Sequence, residues 1–305
     1  MARGIIKIFL ALVLLQACTK DNSHKEGLLS FGIVGSDNVA VHTKASDVEK
    51  KALLPEVGEA DLGKFVVNAG TSNDLTSIVN AEFSSVRDKE YVVQEGSYVA
   101  SAYNCTEDMA HPDGGFGSVR YYGTASFSVV PGQLTNVVIP CTVANSMVGI
   151  ILDESFLKVF KASATEIELS TSADRNTRAL VFDSSKFLAT PGSESGDRIA
   201  ADDFTKCAFY PASTPLYITI RSQLYSLDGN GEVKEYVYNG MASADGAVIK
   251  TSLATFHKIR ISADLTNSPQ GVTIKVGDEQ ETITNGISII GYSSGSLMRM
   301  NKILL

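Results

Sequence analysis

Short segments in which apolar and polar residues alternate follow one another along most of this chain. In the first half they cover residues 28–34, 65–67, 90–93 and 97–104, and then 121–130 and 134–143. Alternation with a period of two is typical of β-strands that bury one face. The last two segments are joined by Pro131-Gly132-Gln133, and Pro followed by Gly favours a type II turn. The first half is therefore predicted to be antiparallel β-structure containing a 121–143 hairpin.

The second half continues in the same way, with predicted strands at 147–152, 166–170, 216–220, 257–264, 272–276 and 282–290. Residues 228–231 (DGNG) predict a turn that returns the chain as a strand over 233–238. A helical turn or two is expected within 154–161, with Asp153 as the N-cap. Few segments keep a helical period, and the roughly 290 residues that remain without the first 17 exceed one typical core. We therefore predict an all-β fold of two tandem antiparallel β-sandwich domains over 28–144 and 145–305.

The start of the chain predicts lipid attachment. Arg3 and Lys7 precede and enter an apolar run over 5–15, and Gln16-Ala17-Cys18 follows it. The run is shorter than the roughly 20 residues that span a bilayer, so it predicts a signal peptide of residues 1–17. The small residue before Cys18 matches a lipoprotein cleavage site, with Cys18 as the acylated residue. Residues 18–27 are mostly polar and are expected to be a flexible tether to an outer-membrane lipid anchor.

The charge of the chain limits the partners it can bind. The formal net charge is −8, and removal of residues 1–17 makes the protein more acidic because Arg3 and Lys7 are lost with no acid. Without a basic patch, nucleic acid is not expected as a partner. Anionic lipid would repel such a surface, so membrane contact is expected through the acyl chains on Cys18.

Three cysteines remain after Cys18, namely Cys105, Cys141 and Cys207. Cys105 and Cys141 end or lie in strand-like segments, and a disulfide between them is one interpretation in an oxidising compartment. The other interpretation is that all three are buried thiols. The spacing of a zinc site is absent from the sequence, and no cofactor is predicted.

Candidate catalytic and metal motifs are weak. Residues 291–295 (GYSSG) match the Gly-x-Ser-x-Gly pattern of a hydrolase nucleophile, but residues 296–305 supply neither the acid nor the His that should follow. The loop 105–113 (CTEDMAHPD) holds several ligand-type side chains without a known metal spacing. Residues 228–232 (DGNGE) resemble part of a calcium loop and lack the rest of it. We expect surface loops and turns at all three places.

Sugar binding and strand exchange are the remaining alternatives. The chain has 11 Tyr and no Trp, the aromatic residue that most often stacks on sugars. The tyrosines to examine are Tyr121, Tyr122, Tyr217, Tyr225, Tyr236 and Tyr238, although strand packing explains them as well. The apolar C-terminal segment 288–305 could pair with another subunit or complete its own sheet.

The order of these segments resembles a known family. The matching stretches are Thr43-Lys44-Ala45, then residues 61–67, 95–99, 121–123, 127–129, 137–141, the 144–145 junction and 274–278. The chain resembles the domain-of-unknown-function lipoproteins of gut Bacteroidota, which are distantly similar to fimbrillin-type proteins with transthyretin-like sandwiches. The resemblance implies that the two sandwich domains are transthyretin-like or Ig-like and that the protein is lipidated, and it carries no catalytic residue.

Together these observations predict a non-enzymatic lipoprotein of the outer membrane. We expect the cell surface, in preference to the periplasmic face, as its location. Its expected role is structural or adhesive, as a component of a fimbria-like assembly with other surface proteins. The alternative is a glycan-binding lipoprotein of a polysaccharide-uptake system. Fold analogy is the main support for either role.

Overall fold

The computed structural model describes residues 25–35, 60–174, 179–183, 206–224, 248–264 and 272–283. In these ranges the chain forms fifteen β-strands, three α-helices of four residues and one 3-10 helix. The predicted all-β fold is confirmed. The lipid-attachment site, residues 225–240 and residues 284–305 lie outside the described ranges, as do the GYSSG and DGNGE motifs.

The first seven strands form one sheet, in the order β3-β2-β5-β6-β7-β1-β4. Their bounds are β1 Glu26–Gly35, β2 Val66–Thr71, β3 Asp74–Glu82, β4 Tyr91–Gln94, β5 Gly96–Tyr103, β6 Tyr121–Val129 and β7 Leu134–Val143. The 3-10 helix Leu62–Lys64, helix α1 (Phe83–Val86) and helix α2 (Glu107–Ala110) lie between them. The predicted β6–β7 hairpin is confirmed, and Gly132 at its turn has a φ of +70°.

The remaining strands form two four-stranded sheets, in the orders β10-β9-β12-β13 and β11-β8-β14-β15. Their bounds are β8 Ser146–Leu152, β9 Phe160–Ser170, β10 Leu180–Phe182, β11 Ala208–Tyr210, β12 Pro215–Leu224, β13 Ile249–Lys250, β14 Thr255–Asp264 and β15 Thr273–Thr282. Helix α3 (Glu154–Leu157) begins after Asp153, whose carboxylate accepts a hydrogen bond from the Ser155 amide at 2.9 Å. The predicted N-cap is therefore confirmed.

Each half contains one parallel strand pair that the alternation of side chains did not predict. Strand β1 pairs in parallel with β7 over eight residues and antiparallel with β4. Strand β8 pairs in parallel with β14 over six residues and antiparallel with β11. Parallel neighbours need a long crossover between them, so this pairing brings together residues more than a hundred positions apart.

The two halves repeat one pairing scheme. Adding seven to each strand number converts β3-β2-β5-β6 into β10-β9-β12-β13, and β7-β1-β4 into β14-β8-β11. The second half differs at one edge of β14, where β15 pairs over ten residues in the place that β6 takes beside β7. We propose on this basis that the chain has two domains of common topology that meet at residues 144/145.

Two groups of buried apolar side chains form the core. The first cluster lies around Phe65, Tyr121 and Ile139, and the second around Phe156, Phe160 and Ile218. The first cluster also takes in side chains from beyond the 144/145 junction, namely Met147, Cys207, Phe209, Phe256 and Ile283. The two halves therefore share apolar packing, which contributes about 25 cal/mol for each Å² of apolar surface removed from water.

Candidate functional site

A shallow groove lies over strands β5 and β6 beside the β2–β3 turn. Its volume is about 310 Å³, and it is lined by Ser72, Ser97, Tyr98, Val99, Ser126, Phe127 and Ser128. The sheet register explains this grouping, because Ser97 pairs with Ser128, Tyr98 with Phe127, and Val99 with Ser126. Ser97, Ser126 and Ser128 are exposed, so the groove offers several hydroxyl groups to a ligand.

Two aromatic rings lie beneath the groove, on the core face of the sheet, opposite to Ser97, Ser126 and Ser128. Tyr98 and Phe127 stack with ring centroids 5.7 Å apart and an interplanar angle of 26°. The Tyr98 hydroxyl donates to the Gln94 carbonyl at 3.0 Å, which fixes the orientation of its ring. All lining side chains are uncharged, so the groove is chemically suited to a neutral ligand that is rich in hydroxyl groups.

The tyrosines selected from the sequence do not form this groove. Tyr121 is buried and stacks on Phe65 at 6.1 Å, so it serves packing. Tyr122 is exposed, with the Arg120 guanidinium 4.8 Å from its ring centroid. Tyr217 lies in β12, and the other three tyrosines lie outside the described residues. The signal that could have found the groove is the serine–aromatic alternation of residues 126–128 opposite 97–99.

The loop 105–113 is tied to the junction between the halves. Thr106 caps helix α2, and Glu107 forms an ion pair with Arg120 at 2.8 Å and approaches His111 Nδ1 at 3.2 Å. His111 is buried, and its Nε2 lies 3.2 Å from the side-chain amide of Asn145. Among the described residues no group of three His, Cys, Asp or Glu side chains is placed to hold a metal ion.

Asn145 joins the two halves by hydrogen bonds and is fully buried. Its side-chain amide donates to the Ser118 carbonyl at 2.9 Å and accepts from the Arg120 amide at 3.1 Å. Its own carbonyl accepts from the Ala254 amide at 3.0 Å, in the turn before β14. The residue at the predicted boundary is thus a connector rather than an exposed linker.

His257 and Asp278 form a buried pair that resembles part of a catalytic triad. His257 Nδ1 lies 2.9 Å from Asp278 Oδ2, and the His side chain is fully buried. Its Nε2 accepts a hydrogen bond from the Ser252 backbone amide at 2.9 Å, not from a hydroxyl group. Because that amide occupies Nε2, the imidazole cannot take a proton from a nucleophile. The pair joins β14, β15 and the turn before β14.

The cysteines of the body are free in the structure. The sequence left open a disulfide between Cys105 and Cys141, whereas the structure holds Cys105, Cys141 and Cys207 as buried thiols. The Cys105 thiol lies 3.8 Å from the Val119 carbonyl, and the Cys141 thiol lies 3.7 Å from the Ala102 carbonyl. Burial raises the pKa of Cys141 to about 12 and raises that of Cys105. Both thiols are therefore poor nucleophiles.

The described part of the chain is an all-β protein. No helix in that part is long and apolar enough to cross a membrane. Residues 25–195 match the model of a domain of unknown function, DUF4493, and the chain belongs to that family. This confirms the kind of family that the sequence resemblance indicated. No curated protein sequence matches the chain.

Several solved structures are similar to this chain at low identity. The fimbrial anchor protein Mfa2 from Porphyromonas gingivalis is 11% identical, with 85% of this chain and 98% of that chain covered and a TM-score of 0.38. A fimbrial assembly protein from Parabacteroides distasonis is 11% identical, with 84% and 98% covered and a TM-score of 0.37. A candidate polysaccharide-binding protein from Bacteroides thetaiotaomicron is 10% identical, with 85% and 100% covered and a TM-score of 0.40.

Proposed function

We propose that this chain is a non-enzymatic surface lipoprotein with a structural or adhesive role, as a component of a fimbria-like assembly. Support comes from the lipoprotein cleavage pattern before Cys18 and from the repeated seven-strand scheme behind it. Rigid β-modules on a lipid anchor can present a binding surface or an assembly edge at a distance from the membrane.

The main support for the assembly proposal is the position of strand β3 at the edge of its sheet. The strand spans nine residues at the edge of the seven-stranded sheet and pairs with β2 on one side. Within the described ranges no strand pairs with its other side. A long edge strand offers unpaired N–H and C=O groups to an incoming strand of another chain.

Copurification tests this role. We expect the lipidated protein to copurify with products of neighbouring genes, and Leu75→Lys in β3 to reduce that association about tenfold, because an edge lysine hinders strand docking. Leu253→Lys is the control, because Leu253 is also exposed but lies in a turn. A strictly monomeric protein that copurifies with nothing would argue against an assembly role.

We further propose that Cys18 is acylated and that the protein is anchored in the outer membrane with its body on the cell surface. Treatment of intact cells with a membrane-impermeant protease, followed by blotting, tests this placement. Degradation in intact cells, together with release of the Cys18→Ala variant from the membrane fraction, supports it. Full protection of the wild-type protein would place it on the periplasmic face and contradict the proposal.

The groove supports glycan capture as a second candidate function. Its exposed serine hydroxyl groups are suited to hydrogen bonds with neutral sugars. On a glycan array, Ser126→Arg should abolish binding, because the new side chain would fill the groove. Thr124→Arg, two residues earlier on the same exposed face of β6, should leave binding unchanged. Binding that is equal in both variants, or absent in the wild type, would remove this candidate.

A further inference from the structure

Three exposed apolar side chains form a continuous row across three adjoining strands. Leu28 in β1 pairs with Val92 in β4 on one side and with Leu134 in β7 on the other. Their exposed fractions are 37%, 66% and 43% respectively. Directly paired residues project from the same face of a sheet, so these three side chains form one surface, which we call the apolar strip.

The apolar strip is bounded by polar pairs on both sides. Glu26 lies two residues before Leu28, and its carboxylate accepts a hydrogen bond from the Gln94 side-chain amide at 2.5 Å. Ser30 lies two residues after Leu28, and its hydroxyl donates to the side-chain oxygen of Asn136 at 2.5 Å. An outward face of a sheet is normally polar, as these pairs are, so the strip interrupts the expected pattern. Apolar patches with polar rims mark surfaces that contact a protein or a membrane.

The position of the strip along the chain favours the membrane. Leu28 is ten residues after Cys18, so the two can lie at most about 35 Å apart even when the chain between them is fully extended. The acyl chains proposed on Cys18 hold that end of the chain at the bilayer. The strip is therefore kept at a high effective concentration near the lipid surface, and a weak contact suffices for docking.

The charges beside the strip are suited to a zwitterionic lipid surface. The exposed ionic residues in and next to β1 and β4 are of both signs, and they include Lys25, Lys89, Glu26, Glu90 and Glu95. Such a mixed rim is neither strongly attracted to anionic lipid nor strongly repelled by it. Apolar side chains surrounded by a polar rim can enter the head-group region without burial of a charge.

We propose that the apolar strip lies against the bilayer that holds the lipid anchor and thereby sets the orientation of the protein on the membrane. This inference rests on the proposed acylation of Cys18. The strip includes β4, one edge strand of the seven-stranded sheet, and β3 is the edge strand at the other end. With the strip at the lipid surface, the unpaired side of β3 is therefore directed away from the strip.

Tryptophan fluorescence tests the contact, because the chain has no Trp of its own. Lipidated Val92→Trp protein is reconstituted into phosphatidylcholine vesicles with ordinary or brominated acyl chains. We expect brominated chains to quench the emission of the Val92→Trp variant by about half, because interfacial insertion carries a side chain about 5–10 Å into the head-group and acyl boundary. Leu75→Trp is the matched control, since Leu75 is also exposed and lies on the opposite edge strand. Its emission should be unaffected.

Flotation of the same vesicles separates the two proposals. If the protein floats but the Val92→Trp and Leu75→Trp variants are both quenched weakly and to the same extent, the proposed contact of the strip with the bilayer is wrong. The proposed acylation of Cys18 would be unaffected by that result. Protein that does not float, with an unmodified Cys18 by mass spectrometry, would overturn both. A blue shift of the Val92→Trp emission that grows with protein concentration and is indifferent to brominated lipid would assign the strip to a second copy of the chain, which also contradicts membrane docking.

Discussion

Asp153 shows how a single cap residue makes stability depend on pH. The backbone and hydroxyl groups of Ser155 donate to its carboxylate, and the Arg260 guanidinium lies 3.6 Å away. These hydrogen bonds, more than the nearby positive charge, lower the pKa of Asp153 below its usual value. Since the folded-state pKa is the lower one, the carboxylate stabilises the protein above the unfolded pKa, and this contribution is lost as the pH falls through the folded pKa.

We therefore expect Asp153→Ala to lower the free energy of unfolding by about 1 kcal/mol at pH 7, which is typical of a lost N-cap. The difference from the wild type should shrink as the pH is lowered below about 4, near the unfolded pKa of an Asp side chain. Urea denaturation across this range measures it, with Glu154→Gln as an exposed control. A difference that does not change with pH would contradict the role given to the charge.

The three cysteines of the body give a second prediction at the residue scale. With a pKa of about 12, Cys141 has about one thiolate in ten thousand molecules at pH 8, and burial restricts access to it further. In the Cys18→Ala variant we expect Ellman's reagent to label none of the three buried thiols in the native protein. After unfolding without reductant it should label all three. A single labelled thiol after unfolding would show that Cys105 and Cys141 are paired.

What the sequence could predict at this scale depended on distance along the chain. The Asp153 cap and the Pro131-Gly132 turn are set by neighbouring residues, and both are found where the sequence predicts them. The contact between His257 and Asp278 depends on the β14–β15 register, which pairs His257 with Gln280 and so places Asp278 diagonally across from His257 on the same face. No motif in the sequence around His257 or Asp278 indicated that contact.

At the scale of elements, Gly123 is a position where β6 and β7 approach closely. A Cβ atom at Gly123 would lie 2.1 Å from the Pro140 carbonyl oxygen and 2.9 Å from the Cys141 sulfur. Because both atoms belong to a strand in the core, the clash cannot be relieved by the far end of a flexible side chain. The glycine is therefore required for the pairing of the two strands.

We expect Gly123→Ala to cost about 1–3 kcal/mol, the usual penalty of overpacking. Gly277→Ala in β15 is the matched control, because nothing lies within 4 Å of the Cβ position there. The control should be neutral or slightly stabilising, since alanine restricts the unfolded chain. Equal effects of the two substitutions in chemical denaturation would show that the β6–β7 approach is not the cause.

The strands themselves were more predictable than their partners. Alternation located β1, β5, β6, β7 and β14 to within a few residues, because each buries one face. It missed β3, whose first four residues are all exposed, and it missed the three-residue strands β10 and β11. The parallel β1–β7 and β8–β14 pairs were also missed, since side-chain alternation is the same in parallel and antiparallel strands.

At the scale of the whole molecule, the repeated topology does not make the halves independent. The Phe209 amide in β11 donates to the Phe116 carbonyl at 2.8 Å, and Asn145 accepts from Ala254 at 3.0 Å. Phe116 also packs edge-on against Phe182 at 5.2 Å. Apolar side chains from the second half complete the first cluster. The two halves of the chain are thus joined through a common core and buried hydrogen bonds.

This shared core predicts that the two halves unfold together. Phe209 is almost fully buried in the first cluster although it belongs to a strand of the second half. Phe209→Ala should cost about 3–5 kcal/mol, as large aromatic truncations in a core do. The loss should lower hydrogen-exchange protection equally in β2 and β12, because a single cooperative transition exposes both strands. Val181→Ala, at an exposed position of β10, should change stability by less than about 0.5 kcal/mol. Two separate transitions, with only one moved by Phe209→Ala, would instead show that each half is stable without the other.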